Sequence, residues 1–99
     1  MDKAEQSFHR MLQAVADPTR RRILKALKET GGCSLGKDTG LCASDIETRV
    51  SLSQPTISHH MAVLTKAELV QGAKIGQWMW YRRNEAAISR LLRTLRQSL

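Results

Sequence analysis

Acidic residues are scarce in this chain. Nine Asp and Glu stand against 16 Lys and Arg over 99 residues, a formal net charge of +7. That balance favours a polyanionic partner, but by itself fits DNA, RNA or an acidic membrane surface. Long apolar runs are missing too. None approaches the roughly 20 residues that cross a bilayer. The N-terminal stretch MDKAEQSFHR is charged and lacks the apolar centre of a secretory leader. The expected location is therefore cytoplasmic. Cysteine is nearly absent. Cys33 and Cys42 are the only two, they form no Cys-x-x-Cys redox motif, and a cytoplasmic setting keeps them reduced. Metal-ligand spacing is also lacking around His9, which reads as a surface histidine. Proline occurs twice, at Pro18 and Pro55, and each falls in the first turn of an expected helix, where a missing N–H costs nothing.

What is present reads as one domain over residues 1–99, with a modest core. Phe8, Met11, Leu12 and Val15 fall at i, i+3, i+4 and i+7 and predict a helix over residues 4–15. Asp17 is the expected N-cap of a second helix whose buried face is Ile23, Leu24 and Leu27. Its many basic residues, Arg20, Arg21, Arg22, Lys25 and Lys28, are expected mostly on a solvated face. Residues 30–41 are glycine-rich and without period, so they read as a loop, and both cysteines lie in or beside it. A short helix over residues 43–50 turns Ile46 and Val50 inward.

The chain is organised around residues 51–69, SLSQPTISHHMAVLTKAEL, which read as the turn and second helix of a helix-turn-helix. Ser53 is the expected N-cap, its hydroxyl accepting from a free amide of the first turn. Ile57, Met61 and Leu64 make the apolar stripe. Gln54, Thr56, Ser58 and His59 occupy the other face. An ordinary solvent face would carry Lys and Glu, and residues 54–60 have neither. Short uncharged hydrogen-bonding groups suit a helix pressed against base edges.

A β-hairpin follows, with residues 70–74 and 78–82 as strands and a glycine in the turn. A hairpin directly after a recognition helix is a wing, and Lys74, Gln77 and Arg82 could reach the DNA backbone or minor groove from it. Trp78 and Trp80 share one strand face, and one face is expected to pack on the helices. The final helix, residues 84–99, carries Ile88, Leu91, Leu92 and Leu95 opposite Arg90, Arg93 and Arg96. Residues 71–99 hold six basic side chains against Glu85 alone. Two apolar terminal helices imply a homodimer through Phe8, Met11, Leu12, Leu91, Leu92 and Leu95. Its two reading helices would be about 34 Å apart, matching an inverted-repeat duplex operator.

The runs ADPTRRRILKAL at residues 16–27, LCASDIE at 41–47, LSQPTISHHMAVLTKAELV at 52–70 and IGQWMWYRRN at 75–84 resemble the ArsR/SmtB family of bacterial winged-helix repressors. The resemblance covers roughly residues 8–96. It implies a mostly α, winged helix-turn-helix fold of about five helices plus a two-stranded hairpin. It also implies a homodimer that represses a promoter and releases it on a signal, with Gln54, Thr56, Ser58 and His59 on the DNA face. Arsenic-sensing members carry Cys-x-Cys before the recognition helix, where this chain has Cys42-Ala43-Ser44. Zinc-sensing members use Asp and His of the last helix, and here that helix has neither.

Cys42 is expected at a helix N-cap, where free amides favour a thiolate. Cys33 lies on a glycine-flanked loop. No resident cofactor is expected. The pair could form a disulfide, bridge a sulfur species or take a thiophilic metal or metalloid; the plain alternative is two structural cysteines. Two other functions remain open at this point. One is RNA or single-strand binding, with Trp78 and Trp80 as stacking platform. The other is a small thiol enzyme using Cys42 with His59 or His60.

Overall fold

In the computed structural model, which describes residues 1–29 and 41–99, five helices pack around a three-stranded sheet. The helices are α1 (Lys3–Ala16), α2 (Pro18–Glu29), α3 (Ala43–Val50), α4 (Gln54–Lys66) and α5 (Glu85–Ser98). The strands are β1 (Leu41–Cys42), β2 (Val70–Ile75) and β3 (Trp78–Arg83). The sheet is antiparallel in the order β1-β3-β2. This is a winged helix-turn-helix, with β2 and β3 as the wing.

Local chemistry fixes most helix ends. Asp2 accepts from the Glu5 amide at 2.8 Å and starts α1. Asp17 accepts from the Arg20 amide at 2.9 Å and starts α2, with Pro18 as its first residue. Asn84 accepts from the Ala87 amide at 3.2 Å and starts α5. Ser53 departs from expectation. It occupies the N-cap of α4, but its hydroxyl lies 3.0 Å from that of Thr56 and caps no amide. Two neighbouring hydroxyls satisfy each other here and leave the first-turn amides open.

The end of α4 is closed by a Schellman motif. The Leu69 amide donates to Leu64 O at 3.0 Å and the Glu68 amide to Thr65 O at 2.9 Å. Glu68 therefore sits at φ 65°, the left-handed region that glycine normally fills. The reversal delivers Leu69 and Val70, both buried, into the core and starts the wing.

One core unites the helices: Met11, Ile23, Leu27, Ile46, Ile57, Met61, Leu64, Leu69 and Leu91 are all within it. Every apolar residue expected on the inner faces of α2, α3 and α4 is buried. At roughly 1.5–3 kcal/mol per buried aliphatic side chain, Ile57, Met61 and Leu64 are the main anchor of α4.

The sheet differs from the expected two-stranded hairpin. Leu41, read as the end of a loop, is 1% exposed and pairs with Tyr81, while Cys42 pairs with Trp80. A two-residue strand is too short to show the alternation that reveals strands in sequence. Both sheet faces, not one, are covered at the base. Leu41 and Tyr81 face the main core, and Trp80 packs with Cys42 in a separate small cluster. The tip is open on both faces, with Ile75, Trp78 and Met79 exposed. The turn is the two residues Gly76-Gln77, with Gly76 at φ 62°, as a type II′ hairpin requires. Residues 30–40, including Cys33, lie outside the described residues.

Replacing Glu68 by Gly should raise stability by about 1 kcal/mol, because it relieves a left-handed non-glycine residue. The exposed Arg90–Glu68 pair it removes, 3.9 Å apart, contributes little. Urea unfolding measures the change, and a fall in midpoint would contradict the assignment.

Candidate nucleic-acid interface

Three consecutive arginines on α2 hold the helix-turn-helix in place. The last carbonyls of α1 have no intrahelical partners and no basic residue in their own last turn. Arg20 Nε donates to Ala14 O at 2.7 Å and its Nη2 to Gln13 O at 3.2 Å; Arg21 Nη1 donates to Val15 O at 2.6 Å. Arg22 reaches the opposite way, donating from Nη2 to Val50 O at 3.1 Å, the last residue of α3. Arg21, Arg22, Lys25 and Lys28 are exposed, as expected of most of this basic face, and Arg20 is half-buried. From that surface each of the three arginines also neutralises the negative end of a neighbouring helix. Their role depends on which helix ends α2 meets, and nothing local in the sequence signals that.

Between α3 and α4 the chain turns at Ser51, whose φ and ψ are 56° and 47° and whose amide donates to Glu47 O at 2.8 Å. Leu52 packs against the core from this turn. With Ile57, Met61 and Leu64 inward, Gln54, Thr56, Ser58 and His59 all lie exposed on the outer side of α4. Their hydrogen-bonding groups face outward; the one side-chain bond among them is Thr56 to Ser53.

His60 behaves differently from His59. It is half-buried, and its Nδ1 lies 3.3 Å from Arg20 Nη1, which makes Nδ1 the acceptor and the imidazole neutral. Burial pushes its pKa below the ordinary histidine value; Asp17 opposes this, and Arg20 and His59 add to it. Asp17 is itself held below the usual carboxylate value, chiefly by the Arg20 amide. Asp17, Arg20 and His60 thus tie the α1–α2 junction to α4. Sequence reasoning placed Asp17 as a cap and missed the other two links.

On the wing, Lys74, Gln77 and Arg82 are exposed, and Arg82 Nε donates to Gln71 Oε1 at 3.3 Å across the strand pair. Not all of the C-terminal basic excess is available to a partner. Arg83 Nε lies 2.9 Å from Glu85 Oε2, and Arg90 faces Glu68. Arg93 and Arg96 are exposed on α5, which packs on α1.

Of the expected dimer residues, Met11 and Leu91 are already buried in the chain's own core. Phe8, Leu12 and Leu95 are half-buried, and Leu92 is 61% exposed. Leu12, Leu92 and Leu95, with Leu24 and Ile88, line an apolar groove of about 620 Å³ between α1, α2 and α5.

Cys42 is the N-cap residue of α3, but its thiol caps no amide. Its Sγ donates to Asp45 Oδ2 at 3.2 Å and lies 3.4 Å from Ser44 Oγ. Asp45 is the acidic residue in the first turn of α3. Among the described residues no group of three His, Cys, Asp or Glu could hold a metal. A metal at Cys42 would need ligands from elsewhere. Among the described residues Cys42 bonds to Ser44 and Asp45, and His60 to Arg20.

The model of the arsR family of bacterial regulatory proteins matches residues 17–71, from the start of α2 into the wing. This chain belongs to the ArsR family. It is 35% identical over 81 residues to the transcriptional repressor SdpR of Bacillus subtilis, covering 82% of this chain and 80% of SdpR. It is 36% identical over 85 residues to an arsenical resistance operon repressor of Staphylococcus aureus, covering 86% and 73%. The fold matches the homodimeric winged helix-turn-helix DNA-binding domain from Mycobacterium bovis, with a TM-score of 0.70, 21% identity and coverage of 96% and 80%. No helix among the described residues is long and apolar enough to cross a membrane.

The depressed His60 pKa sets a pH dependence. The unfolded chain takes up a proton near pH 6.5, where the folded chain does not. Stability is therefore lost as pH falls from 6.5 towards the lower folded-state value, and levels off below it. The contribution of Asp17 is lost only further down, below its ordinary 3.8. Replacing His60 by Gln should flatten the stability curve just below pH 6.5. An unchanged slope in the variant would contradict the assignment.

Proposed function

We propose that this ArsR-family regulator is a homodimeric, sequence-specific repressor that reads duplex DNA with the exposed face of α4 and braces itself with the wing. The observation that carries the reading is the outer face of α4. Gln54, Thr56, Ser58 and His59 offer donors and acceptors with no Lys or Glu among them, on a helix anchored from behind by Ile57, Met61 and Leu64. Such a face discriminates base edges, while Lys74 and Arg82 of the wing hold phosphate. The exposed Leu92 beside the apolar groove supports self-association through α1 and α5, and the inverted-repeat operator follows from two-fold symmetry. The relatives named as repressors support repression over activation. A cytoplasmic location suits this role.

Release by a thiol-directed signal is the finer part of the proposal. It rests on Cys42, one residue before α3 and hence next to the element that supports α4, with Cys33 as its second thiol. Oxidation, a sulfur species or a thiophilic metal would break the Cys42–Asp45 hydrogen bond. Operator binding by wild-type and Cys42→Ser protein, before and after treatment, tests it. Release of the wild type alone is expected, and equal behaviour of the two would make Cys42 structural.

A second reading, single-strand or RNA binding, draws support from Trp78, which is 51% exposed at the wing tip. Trp80 is 4% exposed and cannot stack on a base, which weakens the platform. Competition between promoter duplex and single strand separates the two. The repressor reading expects duplex preference with steep salt dependence. Replacing Ser58 and His59 by Ala should cost about 1–3 kcal/mol of specific affinity. Unchanged affinity would remove them from the reading face.

A further inference from the structure

The wing and the first turn of α3 flank an open-sided cavity of about 390 Å³, within the size range of small-molecule sites. Register explains its walls. Cys42 pairs with Trp80 and Ile75 with Trp78, and paired residues point to the same face of an antiparallel sheet. That face gives two indoles and an aliphatic side chain. The opposing wall, from the start of α3, supplies Ser44 and Asp45.

The chemistry of these walls is selective. Among the described residues Asp45 is the only charged side chain lining the cavity, in a chain of net charge +7. Its Oδ2 accepts from the Cys42 thiol, and no ion pair reaches it among the described residues. Among the described residues no basic side chain lines the space. Indole faces attract cations through their negative quadrupole, and Trp78 keeps 51% of its surface open. Trp80, also in the wall, has a buried Nε1 with no acceptor among the described residues.

We propose that this cavity binds a small organic cation with an apolar or aromatic body, a substituted ammonium group being its simplest form. The charged head sits by Asp45 and against an indole, and the apolar body lies along Ile75. The ligand would bridge the wing tip and the helix that supports α4. This site goes beyond the DNA-binding reading and does not depend on it.

Both tryptophans of the chain line the cavity, so intrinsic tryptophan fluorescence reports on this site. The full chain is titrated with benzyltrimethylammonium, and separately with benzyl alcohol as the neutral counterpart. A saturable change with the cation and none with the alcohol is expected. Asp45→Asn and Trp78→Ala should each weaken cation binding about tenfold. No saturation up to about 10 mM, equal response to the alcohol, or unchanged affinity in Asp45→Asn would overturn the proposal. The comparison of the two ligands on wild-type protein decides the matter even where a variant fails to fold.

Discussion

The fold depends on helix ends being neutralised by side chains from elsewhere. Arg20, Arg21 and Arg22 occupy less than one turn of α2, yet they reach the C-termini of both α1 and α3. A hydrogen bond with one charged partner contributes roughly 1.5–3 kcal/mol. A carbonyl left without a partner in this part-buried junction would cost a comparable amount. Because Arg20 also meets His60, the same residue ties the packing of the first two helices to the orientation of α4. The reading helix is held by apolar contacts on its inner face and by this polar link at its flank. That leaves its outer face free.

Two other features follow from that division. The buried stripe of α4 is the single row Ile57, Met61 and Leu64, which leaves a broad outer side. The reversal at Glu68 then turns the chain from α4 into β2 within residues 67–69, which places the wing next to α4. The sheet in turn is anchored through β1, whose second residue, Cys42, also starts α3. Helix, wing and the Cys42–Asp45 contact therefore form one connected unit. A chemical change at Cys42 and a ligand in the wing cavity would act on the same joint.

The helices were legible in the sequence because their apolar residues recur at helical spacing. Ile23, Leu24 and Leu27 in α2 and Ile57, Met61 and Leu64 in α4 are buried as their spacing demands. Pro18 and Pro55 marked helix starts for a local steric reason. β1 was hidden because two residues carry no period. The left-handed Glu68 was hidden because the expected glycine is absent. The arginine contacts were invisible because a long side chain finds its acceptor only in the folded chain, and the polar link to His60 arose from the same cause. At the site, the exposed face of α4 could be read from composition and spacing alone. The pairing of Cys42 with Asp45, three residues on, fits helical spacing, but the indole beside them comes from a strand nearly 40 residues away.

The central claim is that two copies of α4 read one duplex. Hydroxyl-radical footprinting of the full chain on the duplex upstream of its own coding region tests it most directly. Two symmetric protected windows, centred about one helical turn or roughly 34 Å apart, are the predicted result. A single unrepeated window, or no protection at low salt, would contradict it.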